Sequence, residues 1–248
     1  MDKALYIGMS GARENMRSQQ AHANNLANVN TTGFKRDYAQ ARAMGVFGEH
    51  FPSRAYAMSE RPGTDLTAGS LQQTGRDLDV AVSGDGWLTI QNDAGDEVFT
   101  RSGSLQIDVN GMLRTQSGEM VMGNRGPVSL PPFEKVDIGA DGSVSIVPAG
   151  GAPNQMIELD RLKLVNPPAD QIEKGLDGFM RRIGGDGAPE PADGSVRLTS
   201  GFLESSNVNA VEEMIANMKL SRQFELQVKL MRTANGNEES AARLLQNL

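Results

Sequence analysis

The chain has 248 residues, of which 38% are hydrophobic and only 5% aromatic, with 28 Gly and 13 Met. That is enough to bury a core, but it is not the composition of one compact enzyme. A formal net charge of -7 with no Lys/Arg cluster to reverse it argues against nucleic acid as a main partner, and the absence of Cys excludes a disulfide framework or a thiolate metal site.

The opening Met1-Asp2-Lys3-Ala4-Leu5 lacks the apolar core of a cleaved signal peptide, so any export is expected to take another route. No run of about 18 apolar residues suits direct membrane insertion. Leu5, Met9, Ala12, Met16, Gln19, Ala23 and Leu26 then alternate steps of four and three, which places them on one stripe of a helix of about 25 residues, about 37 Å long. Such a helix is marginal alone in water, and Gly8 and Gly11 weaken it further, so the stripe is expected to be buried on a partner. The run from Asn24 through Asn25, Leu26, Asn28 and Gly33 to Phe34 ends it, because Asn and Thr side chains compete for backbone hydrogen bonds and Gly33 can take a positive-φ turn. Phe34 is expected to pack back on a neighbour, with Lys35 and Arg36 solvated or ion-paired.

Residues 34–68 hold no sustained period and are punctuated by Gly45, Gly48, Pro52, Pro62 and Gly63, which predicts an extended connector. From Gly69 the period becomes two. Strands are predicted at Leu78–Val82, Trp87–Gln91, Glu97–Arg101, Leu105–Val109, Met112–Thr115, Glu119–Met122, Val136–Ile138, Ser143–Val147 and Ile157–Val165, with Asn110-Gly111 as a two-residue hairpin. These form a small all-β domain of antiparallel strands over 69–204. Trp87, the sole Trp, suits either its core or a subunit interface.

The last segment, 205–248, reads as one long helix that starts at Asn209, with Glu212 at capping-box spacing and Asn207 as a rival cap. Leu220, Phe224, Gln227, Met231, Ala234, Glu238, Ala241, Leu245 and Leu248 keep a coiled-coil spacing across the helix-breaking Asn235-Gly236-Asn237, so a continuous or slightly kinked helix is expected. The fold class is therefore mixed α and β: paired N- and C-terminal long helices, coiled-coil-like, with a central small all-β domain.

Candidate chemistry is sparse. His22 lies inside the first helix without a second His four residues away, and with His50 it is one of only two, so a helix-surface or interhelical hydrogen-bonding role explains it better than a metal or base role. Asp137, Asp141 and Gly142 lack the alternating oxygen ligands of a calcium loop, and Asp77, Asp79 and Asp85 read as turn and strand-face residues rather than a hydrolytic pair. Ser102-Gly103-Ser104 has no His nearby in sequence. No catalytic residue, cofactor site or metal site is assigned.

The stretch Ala23-Asn24-Asn25-Leu26-Ala27-Asn28-Val29-Asn30-Thr31-Thr32-Gly33-Phe34-Lys35-Arg36 resembles the N-terminal signature of the bacterial flagellar rod and hook family. Leu78–Val82, Phe99–Gly103 and Asp108–Leu113 resemble its central part, and Ser206–Asn209, Glu213–Ile215 and Arg222–Glu225 its C-terminal part. The resemblance implies a non-enzymatic structural subunit of the basal-body rod, in its proximal part, crossing the periplasm and transmitting motor torque. It also implies partners among other rod proteins, including the distal-rod protein, and the flagellar export apparatus. Residues 1–33 and 205–248 would form an inner helical layer, with packing from Leu5, Met9, Met16, Leu26, Phe34, Val211, Met214, Met218, Phe224 and Met231. Asn24, Asn25, Asn28 and Asn207 would supply fixed hydrogen bonds at the helix ends. The competing readings are a distal-rod or hook subunit, or a secreted β-domain that binds a ligand or acts as an enzyme and uses helical ends to oligomerise.

Overall fold

The computed structural model describes residues 3–38, 41–47, 52–59, 63–150, 156–184 and 189–246; His50, Gly48, Pro62 and Leu248, named above, lie outside them. The chain divides into two compact units, one of Met1–Val29, Arg36–Asp65 and Val208–Leu248, the other of Asn30–Lys35 and Leu66–Asn207.

The first unit holds the two α-helices, α1 (Lys3–Ala27) and α2 (Ala210–Gln246). Asn209 caps α2, its Oδ1 accepting the N–H of Val211 at 3.1 Å and of Glu212 at 3.4 Å. The helix continues through Asn235-Gly236-Asn237. Asn235 Nδ2 donates to Glu239 Oε1 at 3.0 Å and Ser240 Oγ to Gly236 O at 2.8 Å, so bonds four residues apart span the weak point. Asp37–Tyr38 pairs with Gly63–Thr64, and Ala41–Phe47 forms a hairpin with Pro52–Ser59, which runs beside α1.

The second unit is β structure throughout. Its largest sheet has the order Ile172–Lys174, Met180–Arg182, Glu97–Thr100, Trp87–Gln91, Met120–Gly123, Leu113–Thr115, Leu105–Ile107, with Leu164–Val165 added on Trp87–Gln91 and Gly126–Pro127 on Met120–Gly123. Phe133–Ile138, Ser143–Pro148 and Ile157–Arg161 form a second sheet. Two pairs bring late strands onto early ones: Arg197–Ser200 on Val80–Ser83, and Phe202–Glu204 on Leu71–Gln73. Alternating residues such as Val80, Val82, Leu88, Ile90, Leu105, Leu113, Val144 and Ile146 fill the main core. A smaller cluster gathers Trp87, Phe99, Val165, Ile172 and Met180, so Trp87 is a core residue of this unit.

The expected fold class is corrected by this arrangement. The β part is large rather than small: twenty strands among the described residues run from Asp37 to Glu204 and reach into the stretch 34–68, against two α-helices. The coiled-coil description fails too, because α1 turns Gly8 and Gly11 to α2 and leaves Met9 and Met16 of the expected stripe exposed. Strands such as Leu71–Gln73, Ile172–Lys174, Met180–Arg182 and Phe202–Glu204 are too short to register as alternation in the sequence. The Asn110-Gly111 hairpin is also wider than expected. Asp108 N–H donates to Met112 O at 3.0 Å, which leaves Val109, Asn110 and Gly111 as a three-residue loop with Gly111 at φ 79.

Asp108 holds that loop by accepting the N–H of Asn110 and of Met112 on Oδ1 and pairing with Arg114 on Oδ2 at 2.9 Å. The bond from Arg114, then that from Met112, keep its carboxyl below its ordinary value of 3.8. A depressed folded-state value means the stabilisation is complete above the unfolded value and is lost as pH falls through the folded one. Asp108→Asn is therefore expected to lower the urea midpoint by a constant amount from about pH 7 to about pH 5, with the gap to the parent closing below roughly pH 3. Urea titrations of both proteins across that range check it.

Candidate functional site

Two features stand out, one in each unit. In the β unit a single carboxylate serves two buried cations. Glu204 Oε1 pairs with Lys35 Nζ at 2.6 Å and Glu204 Oε2 with Arg101 Nη1 at 3.0 Å, all three side chains being no more than 4% exposed. The remaining bonding capacity is largely used: Lys35 Nζ donates to Thr67 O at 2.8 Å, Gly69 N–H to Glu204 Oε1 at 2.9 Å, and Arg101 Nη2 to Gly84 O at 2.9 Å. The Arg101 guanidinium also lies 5.1 Å from the Trp87 ring centroid, and Lys35 Nζ 6.0 Å from it.

Backbone bonds close the same place. Gly33 N–H donates to Glu204 O at 2.8 Å, and Asn207 N–H to Phe34 O at 3.4 Å. The hydroxyls of Thr32 and Ser102 are 3.0 Å apart. Gly33 sits at φ 68, and a Cβ there would fall 2.2 Å from the Arg101 carbonyl carbon, so only Gly permits the approach. Lys174 Nζ lies 3.8 Å from the Phe34 ring centroid and donates to Lys35 O at 2.8 Å. The chain thus enters and leaves the β unit side by side.

In the first unit α1 and α2 run antiparallel. A Cβ at Gly8 would lie 2.9 Å from Met231 Cγ and one at Gly11 2.7 Å from Gln227 Nε2, while His22 Nδ1 meets Glu213 Oε2 at 2.5 Å. The face of α1 turned to α2 is thus Gly8, Gly11, Asn15, Ser18 and His22, spaced three and four apart. On α2 the less exposed side follows the expected spacing: Glu213, Asn217, Leu220, Phe224, Gln227, Met231, Ala234 and Glu238. Asn15 Nδ2, Asn217 Oδ1 and Gln227 Oε1 are buried without a hydrogen-bond partner, each a cost of about 1–3 kcal/mol. Near one end, buried Glu213 lies between His22 and Arg36, the latter 3.9 Å away, and Arg36 Nη1 also reaches Glu212 at 3.5 Å.

The predicted residues separate into three groups. Met9, Met16, Val211, Met214 and Met218 are exposed. Leu5, Leu26, Phe34, Phe224 and Met231 are half-buried. Among the asparagines, Asn25 is fully buried and makes a two-ended contact, Nδ2 to Asp37 O and Asp37 N–H to Oδ1, both at 2.9 Å. Asn28 Nδ2 donates to Asn24 O at 3.0 Å, a bond within the end of α1, and Asn24 itself is exposed. Asn207 does not cap α2; its Nδ2 donates to Thr67 O at 3.2 Å in the β unit. His22 makes the interhelical bond expected of it.

Of the other candidates, Asp141 accepts from Ser143 and pairs with Arg161, a turn arrangement. Asp79 is buried beside Arg76 at 3.5 Å, while Asp77 and Asp85 are exposed. Among the described residues no helix is long and apolar enough to cross a membrane.

Sequence reasoning missed Glu204 and Arg101 and expected Lys35 to be solvated or ion-paired, whereas it is buried. The available signal was that Lys35 and Arg101 each lie two residues from a close-approach Gly, Gly33 and Gly103, inside a signature stretch. Removing the shared carboxylate leaves two cations buried without a counter-ion, so Glu204→Gln is expected to destabilise the β unit by about 3–5 kcal/mol, against a smaller loss for Lys35→Met, which leaves Glu204 paired with Arg101. Urea denaturation followed by the fluorescence of Trp87 reads both.

Three family profiles match in chain order: Flagella basal body rod protein over residues 5–35, Flagellar hook protein FlgE/F/G D1 domain over 81–146, and Flagellar basal body rod FlgEFG protein C-terminal over 199–244. Lys35, Arg101 and Glu204 fall one in each matched stretch. The chain is 38% identical to the flagellar basal-body rod protein FlgF of Escherichia coli K12 over 99% of both chains, and equally to FlgF of Salmonella typhimurium. It is 32% identical to the flagellar basal-body rod protein FlgG of Bacillus subtilis over 95% of this chain and 96% of that one. With three ordered matches and full-length identity of this degree, the chain belongs to the flagellar basal-body rod protein family, as a FlgF-like structural subunit of the rod.

Proposed function

We propose that this subunit sits in the proximal rod and transmits torque across the periplasm, with α1 and α2 packed against neighbouring rod subunits, the distal-rod protein among its partners. Its work is mechanical rather than catalytic, and the flagellar export apparatus is among its partners.

The observation that carries this reading is the exposed apolar surface on both helices. Tyr6, Ile7, Met9 and Met16 on α1, and Val211, Met214, Ile215, Met218, Leu226 and Leu230 on α2, are all exposed in the single chain. The seam between the helices takes small and polar groups from α1 and Leu220, Phe224 and Met231 from α2, so intramolecular pairing does not cover the exposed side chains. Each large apolar side chain buried on assembly contributes about 1.5–3 kcal/mol. A row of them along two helices favours association with other subunits over a free monomer. The Asn25 contact to Asp37 and the Glu213 cluster fix polar groups on the same unit, and directional bonds set register where apolar contacts alone do not.

Met218→Asp places a charge in the proposed contact without touching the seam. It is expected to reduce recovery of the subunit in basal bodies purified from complemented cells by at least about tenfold, the equivalent of roughly 1.4 kcal/mol. Its thermal unfolding should match the parent. Normal recovery of the variant would remove the buried helical layer from the account.

A further inference from the structure

We propose that Met9, Met16, Met214 and Met218 form a peroxide-sensitive modification site that controls whether the subunit can assemble; this rests on the helical contact surface proposed above. These four are 55%, 58%, 51% and 59% exposed, whereas Met122 and Met180 in the β unit are 9% and 3% exposed. Their placement is not scattered. Gly8 and Asn15 belong to the seam of α1, and Met9 and Met16 each follow by one residue; Glu213 and Asn217 belong to the seam of α2, and Met214 and Met218 each follow by one.

One residue beyond the seam is a turn of about 100° about the helix axis. In an antiparallel pair, equal turns from the seam bring both helices to the same side. With Gly8 opposite Met231 and His22 opposite Glu213, the order along that side is Met9, Met16, Met218, Met214. At about 1.5 Å per residue this makes a thioether stripe roughly 20 Å long. Ile7, Leu226 and Leu230 precede their seam neighbours by one and lie on the opposite side, so one side of the pair is built on sulfur and the other on aliphatic carbon.

The thioether is flexible and polarizable, which suits a contact that must adapt to several neighbours. It is also the one large apolar side chain that a mild oxidant converts to a polar one. In the step, hydrogen peroxide transfers one oxygen to the Met sulfur, which loses two electrons and becomes a sulfoxide, and the second oxygen leaves as water. Sulfoxides along the stripe place strong dipoles in a surface that must be dry on assembly, and a sulfoxide reductase drawing on a thiol restores it. Exposure before assembly and burial after it confine the reaction to the free subunit.

Peptide mapping by mass spectrometry after limited hydrogen peroxide treatment of the full-length protein is the first measurement. The four stripe methionines are expected to oxidise at least about fivefold faster than Met122 and Met180. The second compares cells exposed to peroxide during rod growth that carry either the parent or a variant with Leu at all four positions. Peroxide should lower basal-body recovery of the parent by at least about threefold relative to the Leu variant, in which exposed Met156 still reports the dose. Equal oxidation of exposed and buried methionines, or equal losses in the two strains, overturns the proposal. Met218→Asp in parallel separates the two ideas: if it blocks recovery while oxidation does not, only the redox site falls, and if neither does, the contact surface falls with it.

Discussion

Glu204 neutralises Lys35 and Arg101 in a space closed to water, and the β unit is built around that arrangement. Withdrawing three charges from solvent is costly, and the cost is offset by partners on most polar directions, namely the carbonyls of Thr67 and Gly84, the N–H of Gly69 and the face of Trp87, with Arg101 Nε the buried exception. The three residues come from positions 35, 101 and 204, so the cluster forms only when the strap Asn30–Lys35, the corner after Glu97–Thr100 and the late strand Phe202–Glu204 are all in place. A hydrophobic cluster would tolerate slippage of any of these by an ångström. Short charged hydrogen bonds do not, and they hold the incoming and outgoing chain at a fixed spacing.

The helical unit reverses the usual distribution of polarity. Its internal seam is made of Gly8, Gly11, Asn15, Ser18 and His22 against Met231, Gln227 and Glu213, while Met9, Met16, Met214 and Met218 face out. Small residues bring the two backbones close. Polar groups, several without a partner, fix one register rather than supply strong cohesion. A pair built this way leaves much of its apolar area uncovered in the single chain. The two-ended Asn25 contact and the Glu213 cluster then anchor the unit by direction, where apolar contacts would leave it free to slide.

Much of this was legible in the chain. Asn209 marked the start of α2, the spacing from Leu220 to Glu238 marked its less exposed side, and the Asn-rich run after Ala23 marked the end of α1. Each is a local effect, a cap or a period within a few turns. The longer strands, such as Trp87–Gln91 and Ser143–Pro148, were equally plain, since alternation over five or six residues is a local signal. Shorter ones such as Val80–Ser83 and Leu113–Thr115 were marked as well, but Leu71–Gln73, Ile172–Lys174, Met180–Arg182 and Phe202–Glu204 were not, nor was the hairpin of Ala41–Phe47 with Pro52–Ser59, because these strands are defined by their partners. The face of α1 turned to α2 was not legible for a related reason. The stripe through Met9 and Met16 asks for burial without naming the partner, whereas close helix approach selects the small residues Gly8 and Gly11 and leaves both methionines exposed in the single chain.

By itself, then, the sequence determined the two helices, their caps, the β character of the middle and the family, all of which depend on neighbours within about a dozen residues or on ordered motifs. Only the tertiary structure decided that Lys35, Arg101 and Glu204 share one buried site, that Gly33 must be Gly because Arg101 passes against it, and which side of each helix is turned inward. Those facts depend on groups far apart in the chain meeting where water is excluded, and the energy that makes a buried charge or a Cβ clash decisive exists only once that enclosure has formed.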